Sequence, residues 1–220
     1  MDILDEPIEA ERYQVDSDSF EVVDRESDPY VNIAPLLEEK IEERAPTKFW
    51  LQGSDAQRKT RIVYTIGLDL SESSDWTVPI FEISLPSSDG FQGTQQYRSE
   101  RDDELSAYTN HLRSLFIEED QHDRLTGLGP IGKCLLLSQE RNVILYLKGI
   151  DRVPGRAQSM FFGILERRPK IQYGVEIAGD PENLTICSTT GETSNPEDLD
   201  RKLRSILGTA HRVDTDGSDR

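Results

Sequence analysis

Four short segments of the chain are rich in apolar and β-branched residues, and the third is a continuous apolar run. They are "KFWLQ" (48–52), "VPIFEISLP" (78–86), "NVILYLKG" (142–149) and "NLTICSTT" (183–190). Strands that are covered on both faces have such unbroken apolar runs, as in a parallel sheet. Residues 170–179 alternate between apolar and polar positions and predict a small hairpin. The pattern therefore predicts a mainly parallel sheet with one hairpin beside it.

Apolar residues recur at intervals of three and four positions between these strands. This spacing predicts amphipathic helices, and the segments that carry it are 35–44, 60–67, 102–120, 133–141, 154–168 and 195–207. Pro154 suits the first turn of one helix, and Asn195 is placed to cap the last. Because strands alternate with helices, we expect an α/β sandwich.

Composition divides the chain into a core and two polar ends. We expect an acidic, partly disordered N-terminal arm over 1–34, one core over 35–207, and a disordered polar tail over 208–220. The 42 acidic and 25 basic residues give a net charge of −17. A surface that neutralises nucleic-acid phosphates needs clustered Lys and Arg, so direct nucleic-acid binding is not expected. The acidic excess resembles proteins of halophilic archaea, and an acidic protein with acidic tails is the alternative.

Metal and disulfide chemistry have little support in the sequence. Cys134 and Cys187 lie in apolar runs and predict buried, reduced thiols. The three histidines, His111, His122 and His211, do not have the spacing of metal ligands. No apolar run approaches the roughly 20 residues of a membrane span, and the N-terminus is too acidic for a signal peptide. We therefore expect a cytoplasmic protein without a metal site.

A candidate phosphate-binding loop follows the first apolar run. The stretch "GSDAQRKT", Gly53 to Thr60, matches the pattern G-x-x-x-x-G-K-[ST] except that Arg58 replaces the second glycine. In that pattern the glycine lets the backbone turn so that its N–H groups reach the phosphates, and Arg58 adds a long side chain there. An arginine can also bind phosphate through two hydrogen bonds. Gly53, Arg58, Lys59 and Thr60 are therefore candidate nucleotide-binding residues.

The order of elements over 35–207 resembles the nucleotide-binding core of AAA+ ATPases. The most specific part is "LLLSQERNVILYLKGIDRVPGRAQSMFFGILERR" (135–168), which is similar to the branch containing bacterial enhancer-binding activators, magnesium chelatases and MoxR-type proteins. The resemblance implies a three-layer P-loop NTPase sandwich. Since the chain ends soon after the last predicted helix, we expect the helical lid of that family to be missing.

The resemblance also indicates that the hydrolytic machinery is lost. In the family, the Walker B motif supplies an aspartate that holds Mg²⁺ and a glutamate that orients water. The corresponding residues here are Lys148 and Gly149. Asp151 lies three residues beyond the strand, where we expect its side chain to point away from the phosphates. Lys148 would put a cation where the metal ligand is expected, with no acid nearby, so bound nucleotide would not require Mg²⁺. The alternative is that Lys148 extends into solvent.

Two further family features have weaker counterparts. A polar residue that senses the γ-phosphate would be Thr190, or Thr189 or Gly191 if the register shifts by one. Arg201 or Arg204 could supply an arginine finger, but arginines on a solvated helix are the more ordinary interpretation.

The leading hypothesis is a catalytically degenerate AAA+-like domain. It would act as a regulatory or protein-interaction module, with transcription regulation as one context, and it would have no catalytic residues and no efficient ATP hydrolysis. The alternative is a switch that binds ATP or ADP weakly, or a weakly active ATPase. We expect an unidentified protein partner, and a monomer or low-order oligomer. The sequence contains no G-x-S-x-G motif or Cys/His pair that would support an unrelated hydrolase.

Overall fold

Nine strands and seven helices make up the described part of the chain. The computed structural model describes residues 8–15, 19–85, 108–120, 124–153, 155–166, 168–173, 175–190 and 199–216. The strands are β1 Thr47–Gln52, β2 Ile80–Ser84, β3 Ile117–Glu119, β4 Leu125–Leu128, β5 Val143–Lys148, β6 Lys170–Tyr173, β7 Val175–Ala178, β8 Leu184–Thr189 and β9 His211–Asp214. The helices are α1 Ala34–Glu43, α2 Ala56–Glu72, α3 108–114, α4 Pro130–Ser138, α5 Gly155–Gln158, α6 Phe162–Leu165 and α7 Arg201–Leu207.

Five parallel strands form the central sheet in the order β2-β5-β8-β1-β9. The four apolar runs that predict strands correspond to β1, β2, β5 and β8. Residues 170–179 contain the predicted hairpin, in which β6 pairs antiparallel with β7. The predicted fold class is therefore confirmed as far as its architecture: the chain is an α/β sandwich with a mainly parallel sheet.

Alternation along β5 assigns its side chains to two apolar clusters, one on each face of the sheet. Val143, Leu145 and Leu147 belong to the cluster that contains residues of α4 and α6, and Ile144 and Tyr146 belong to the cluster that contains residues of α2. Successive strand residues point to opposite faces, so an unbroken apolar run supplies both layers. β5 therefore lies in the middle layer of the three-layer sandwich, with an apolar cluster on each face.

The N-terminal segment packs on the core where the structure describes it. Tyr30 and Ile33 are fully buried, and the ring of Tyr13 stacks on Phe81 with 3.9 Å between centroids. The Tyr30 hydroxyl donates a hydrogen bond to Asp69 of α2. Residues 19–33 of the acidic N-terminal arm therefore pack on the core, because isolated apolar residues such as Tyr30 and Ile33 attach an otherwise polar segment.

The predicted disordered tail contains a strand. β9 pairs in parallel with β1, Val213 is buried, and Thr215 is fully buried. The core therefore extends beyond residue 207 to Asp216. An edge strand needs only one apolar face, and in "HRVD" that face consists of Val213 alone, which a periodicity argument cannot detect.

Several helix boundaries also differ from the sequence expectation. α2 begins four residues earlier than predicted and runs to Glu72. The predicted helix over 154–168 is divided into α5, a 3₁₀ turn at Ser159–Phe161, and α6. The predicted loop at 87–101 and the cap at Asn195 lie outside the described residues. None of the described helices combines the length and apolar composition that crossing a bilayer requires.

Candidate functional site

The candidate site lies at the carboxyl ends of β1, β5 and β8, next to the N-terminus of α2. A cavity of about 200 Å³ opens there and is lined by Lys59, Lys148 and Thr190, three of the predicted residues, together with Arg152. The other predicted residues, Gly53, Arg58 and Thr60, are not among its lining residues. Parallel strands end at one edge of their sheet, which is where open α/β folds place ligands.

The loop between β1 and α2 is too short to form a phosphate cradle. α2 begins at Ala56, so Arg58, Lys59 and Thr60 are already helical. The Lys59 amide donates to the Asp55 carbonyl at 3.1 Å, as in an ordinary first turn. A phosphate loop needs several free N–H groups that converge on the ligand. Three residues, Gly53 to Asp55, separate the strand from the helix and cannot supply them.

Asp55 occupies the free amides at the start of α2. Its Oδ1 accepts hydrogen bonds from the amides of Gln57 at 2.8 Å and Arg58 at 2.9 Å. These bonds, that of Arg58 first, lower the pKa of the Asp55 carboxyl. A helix N-terminus attracts anions, and here the chain supplies its own. A phosphate in this position would have to displace the Asp55 carboxylate or lie against its negative charge.

A second carboxylate closes the loop from the C-terminal side. The Ser54 amide donates to both carboxylate oxygens of Asp216 at 2.8 Å, and the Ser54 hydroxyl donates to Oδ1 at 3.2 Å. Thr215 holds this segment in place, because its amide and hydroxyl donate to the Gln52 carbonyl at 2.7 and 2.8 Å. The Ser54 amide is therefore also used within the chain.

Gly53 is required by this contact. Its φ is 139°, a value that side chains rarely allow, and an added Cβ would lie 2.3 Å from Thr215 Oγ1 and 2.5 Å from Asp216 Oδ1. The glycine therefore permits the close approach of the segment that follows β9. In a nucleotide site the same glycine would permit the approach of a phosphate.

The Lys59 side chain is buried and forms hydrogen bonds with backbone carbonyls. It is only 5% exposed, and its Nζ donates to the carbonyls of Gly53 at 2.7 Å and Thr190 at 2.9 Å. Burial lowers the pKa of Lys59, while the charges of Asp151 and Asp216 oppose this effect. The ammonium group thus joins the ends of β1 and β8.

Lys148 has an acidic partner that the sequence analysis missed. Its Nζ lies 2.8 Å from Glu82 Oε1, with the two side chains 29% and 30% exposed. The expectation that no acid lies near Lys148 is therefore wrong. Glu82 belongs to β2, which pairs with β5, but 66 residues separate the two in sequence. No local motif could have indicated this pair.

Gly149 cannot readily carry the glutamate that the resemblance implies. Its φ is 75°, and an added Cβ would lie 2.8 Å from Arg152 Cδ. The Gly149 amide donates to the Thr189 hydroxyl at 3.0 Å, which ties the end of β5 to the end of β8. A side chain at this position would strain a turn that the glycine adopts freely.

The remaining candidate residues make structural contacts. The guanidinium of Arg58 donates to the Asp28 carbonyl at 2.7 Å, and the Thr60 hydroxyl donates to the Ala56 carbonyl at 3.0 Å. The Thr190 hydroxyl accepts from the Trp50 indole at 3.2 Å. Arg201 and Arg204 lie on α7, and Arg204 donates to the Leu199 carbonyl at 3.5 Å. These contacts give each side chain a role within the fold.

The residues present do not fit a bound nucleotide in this arrangement. The amides of Ser54, Gln57 and Arg58 donate to the protein's own carboxylates, and Lys59 donates to two carbonyls. The cavity of about 200 Å³ is smaller than the roughly 300–1,000 Å³ of ordinary small-molecule pockets. In the described part of the chain, no cluster of three or more His, Cys, Asp or Glu could hold a metal ion.

Comparison with known proteins gives likenesses of structure only. No protein-family model matches the sequence, and no curated protein matches it. A mutant of RuvB from Thermotoga maritima is 15% identical with a TM-score of 0.46, and the alignment covers 96% of this chain and 48% of RuvB. NtrX from Brucella abortus, solved in complex with ATP, is 14% identical with a TM-score of 0.49, covering 83% of this chain and 36% of NtrX. This chain spans less than half the length of either protein.

Proposed function

We propose that this chain is a degenerate AAA+-like domain that does not hydrolyse ATP and acts as a regulatory or protein-interaction module. One observation carries the proposal: Asp55 and Asp216 occupy the loop amides that would otherwise bind phosphate. Two carboxylates at the phosphate position repel a polyanion, and the net charge of −17 adds to that repulsion.

The residues at the carboxyl end of β5 support the proposed loss of ATP hydrolysis. Phosphoryl transfer depends on a metal ion and a positioned water at the γ-phosphate. Lys148 forms an ion pair with Glu82, and Gly149 has a left-handed φ of 75° that an added side chain would strain. The two positions at which the resemblance implies catalytic acids therefore supply neither a metal ligand nor a base.

ATP turnover and ligand-dependent melting test this proposal. We expect no ATP turnover above the buffer rate. A ligand that binds only the native state raises the melting temperature, so we also expect millimolar ATP or ADP to leave the melting temperature unchanged. Turnover that Lys148→Met abolishes would overturn the proposal. Lys148→Met is preferred to a Lys59 variant since Lys148 is partly exposed, so its loss leaves the buried contacts intact.

A weak nucleotide-binding switch is the second candidate. It is favoured by the three cationic side chains at the cavity, Lys59, Lys148 and Arg152, and by the exposed position of Asp216, which an incoming phosphate could displace. Asp216→Ala should then strengthen ATP binding measured by calorimetry. Because Lys148 stands where a metal ligand would, the affinity should be equal in Mg²⁺ and in EDTA. Binding seen only with Mg²⁺ would exclude this role of Lys148.

We also propose a cytoplasmic, salt-adapted protein that works with an unidentified protein partner as a monomer or low-order oligomer. The acidic excess motivates the salt adaptation, since molar salt screens repulsion between like charges. The melting temperature should rise between dilute buffer and molar KCl, and an unchanged value would remove the halophile interpretation. Light scattering that shows a hexamer without nucleotide would contradict the proposed assembly state.

A further inference from the structure

A second cavity lies at the opposite end of β1 from the candidate site. Its volume is about 540 Å³, within the roughly 300–1,000 Å³ range of ligand pockets. Its apolar lining includes Pro46, Leu165 and Ile206. Its charged or titratable lining consists of Lys48, Glu166 and His211. The cavity therefore combines an apolar wall with one ammonium group.

Lys48 projects from β1 towards the end of α6. Its Nζ donates to the carbonyls of Leu165 and, at 2.5 Å, Glu166. Carbonyls at a helix C-terminus have no partner within the helix, so the lysine satisfies them. These two bonds use two of the three ammonium hydrogens. The third ammonium hydrogen can be donated to a ligand in the cavity that Lys48 lines.

The charge of Lys48 is poorly compensated. Among the described residues no carboxylate lies within 4.0 Å of its Nζ, and the Glu166 carboxylate is engaged by Lys202 at 3.2 Å. Burial lowers the pKa of Lys48 to about 8, although the charge of Glu166 opposes this effect. A half-buried cation beside an apolar wall is stabilised by an anion that brings its own apolar surface.

The rest of the molecule restricts the kind of anion. A net charge of −17 repels multiply charged ligands most strongly, so a single negative charge is favoured. The exposed Pro46 and the partly buried Ile206 offer apolar contact area, which a free phosphate or sulfate could not use. A carboxylate can accept the remaining ammonium hydrogen of Lys48, and a hydrocarbon group can cover the wall.

We propose that this cavity binds a small apolar monocarboxylate, with its carboxylate on Lys48 and its hydrocarbon part against Pro46 and Ile206. The site is independent of the candidate nucleotide site, since none of its lining residues is shared with that cavity. Failure of this proposal would leave the proposed function unchanged.

Calorimetric titration with octanoate tests the proposal, with 1-octanol and acetate as matched ligands. Octanoate should bind at least about tenfold more tightly than either, because octanol lacks the charge that Lys48 recognises and acetate lacks the apolar part. Equal affinity for octanol and octanoate would overturn the role of Lys48. Absence of octanoate binding at millimolar concentration would overturn the site itself.

Two lysine variants locate the binding. Lys48→Met should weaken octanoate binding at least about tenfold, since a charge-assisted hydrogen bond is lost. Lys40→Met is the matched control: Lys40 also has a pKa lowered to about 8 by burial and donates to a carbonyl, that of Glu182 at 2.8 Å, but it lines a different cavity. Unchanged binding in Lys48→Met, or an equal loss in Lys40→Met, would contradict the assignment.

A third variant keeps the test decisive if Lys48→Met fails to fold. Ile206→Trp places a larger side chain in the cavity while Lys48 remains, and it should abolish octanoate binding. In the wild type, octanoate should shift the amide resonances of residues 205–211, which border the cavity. Shifts confined to other parts of the chain, or binding that survives Ile206→Trp, would overturn the proposal.

Discussion

A lysine lies at a cavity near each end of β1, Lys48 on the strand itself and Lys59 on α2. The two lysines differ in their surroundings. At the carboxyl end, Lys59 is almost fully buried and donates to two carbonyls, and the carboxylate of Asp216 lies at the adjoining loop. At the amino end, Lys48 also donates to two carbonyls, but it faces a larger cavity with an apolar wall. At the carboxyl end Asp216 accepts hydrogen bonds from the loop, whereas at the amino end Glu166 forms its ion pair with Lys202 and not with Lys48.

This difference shows that a lysine at a strand end does not by itself define a phosphate site. Ser54 and Asp216 are 162 residues apart, and Lys148 and Glu82 are 66 residues apart. At the carboxyl end of β1, the Ser54 amide and Lys148, which could otherwise bind an anion, form bonds with Asp216 and Glu82 instead. At the amino end, no such partner neutralises Lys48 within the described residues, so that cavity retains the capacity to bind an anion.

Removing Lys59 should have the largest effect. Lys59→Met leaves two buried carbonyls without a charged donor, so we expect the free energy of unfolding in urea to fall by about 2–4 kcal/mol. Lys48→Met removes a half-buried lysine and should cost less than half as much. Equal losses in the two variants would show that the two ends of β1 do not differ as described.

Gly53→Ala should have the next largest effect. The variant combines an unfavourable φ of 139° with contact to Thr215 and Asp216, and strain of this kind costs about 1–3 kcal/mol. The amide of Thr215 should also exchange hydrogen faster, because its bond to the Gln52 carbonyl depends on the same approach. Gly208→Ala is the control, since Gly208 has a helical φ of −63°. Similar losses at both glycines would refute the close approach.

Replacing Asp55 should have a smaller, pH-dependent effect. Asp55→Ala removes the cap of α2 and should lower the free energy of unfolding by about 1 kcal/mol, whereas Asp55→Asn retains a cap and should be nearly neutral. The pKa of Asp55 is lowered from 3.8 in the folded chain. Its charge therefore contributes stability above that value, and the contribution is lost as the pH falls below it. A difference between wild type and Asp55→Ala that persists undiminished at pH 2 would contradict this role.

The ion pair between Lys148 and Glu82 should have the smallest effect. Both side chains are about 30% exposed, so solvent screens the attraction. A double-mutant cycle with Lys148→Met and Glu82→Gln should give a coupling energy of about 0.2–1 kcal/mol. A coupling near zero would mean that Lys148 is free to neutralise an anion in the cavity, and the nucleotide-switch alternative would gain support.

Local pattern was enough to predict four of the five strands of the central sheet. β1, β5 and β8 are buried along nearly their whole length because both of their faces are covered, whereas the edge strand β2 exposes Glu82 and Ser84. The capping role of Asp55 could also have been recognised, since aspartate before a helix is a common start signal. That signal would have shortened the predicted phosphate loop.

Contacts between distant segments were decided only by the tertiary structure. β9 has a single buried apolar residue, Val213, so its place in the sheet depends on pairing with β1 and not on its own periodicity. The partners of Ser54, Lys59 and Lys148 come from other strands and turns, and nothing in the residues beside them indicates those partners. Sequence by itself determined the strands and helices that have a strong local pattern, such as β5 and α2, because that information is local. The tertiary structure determined which charges meet, because hydrogen bonds and ion pairs depend on distance in space.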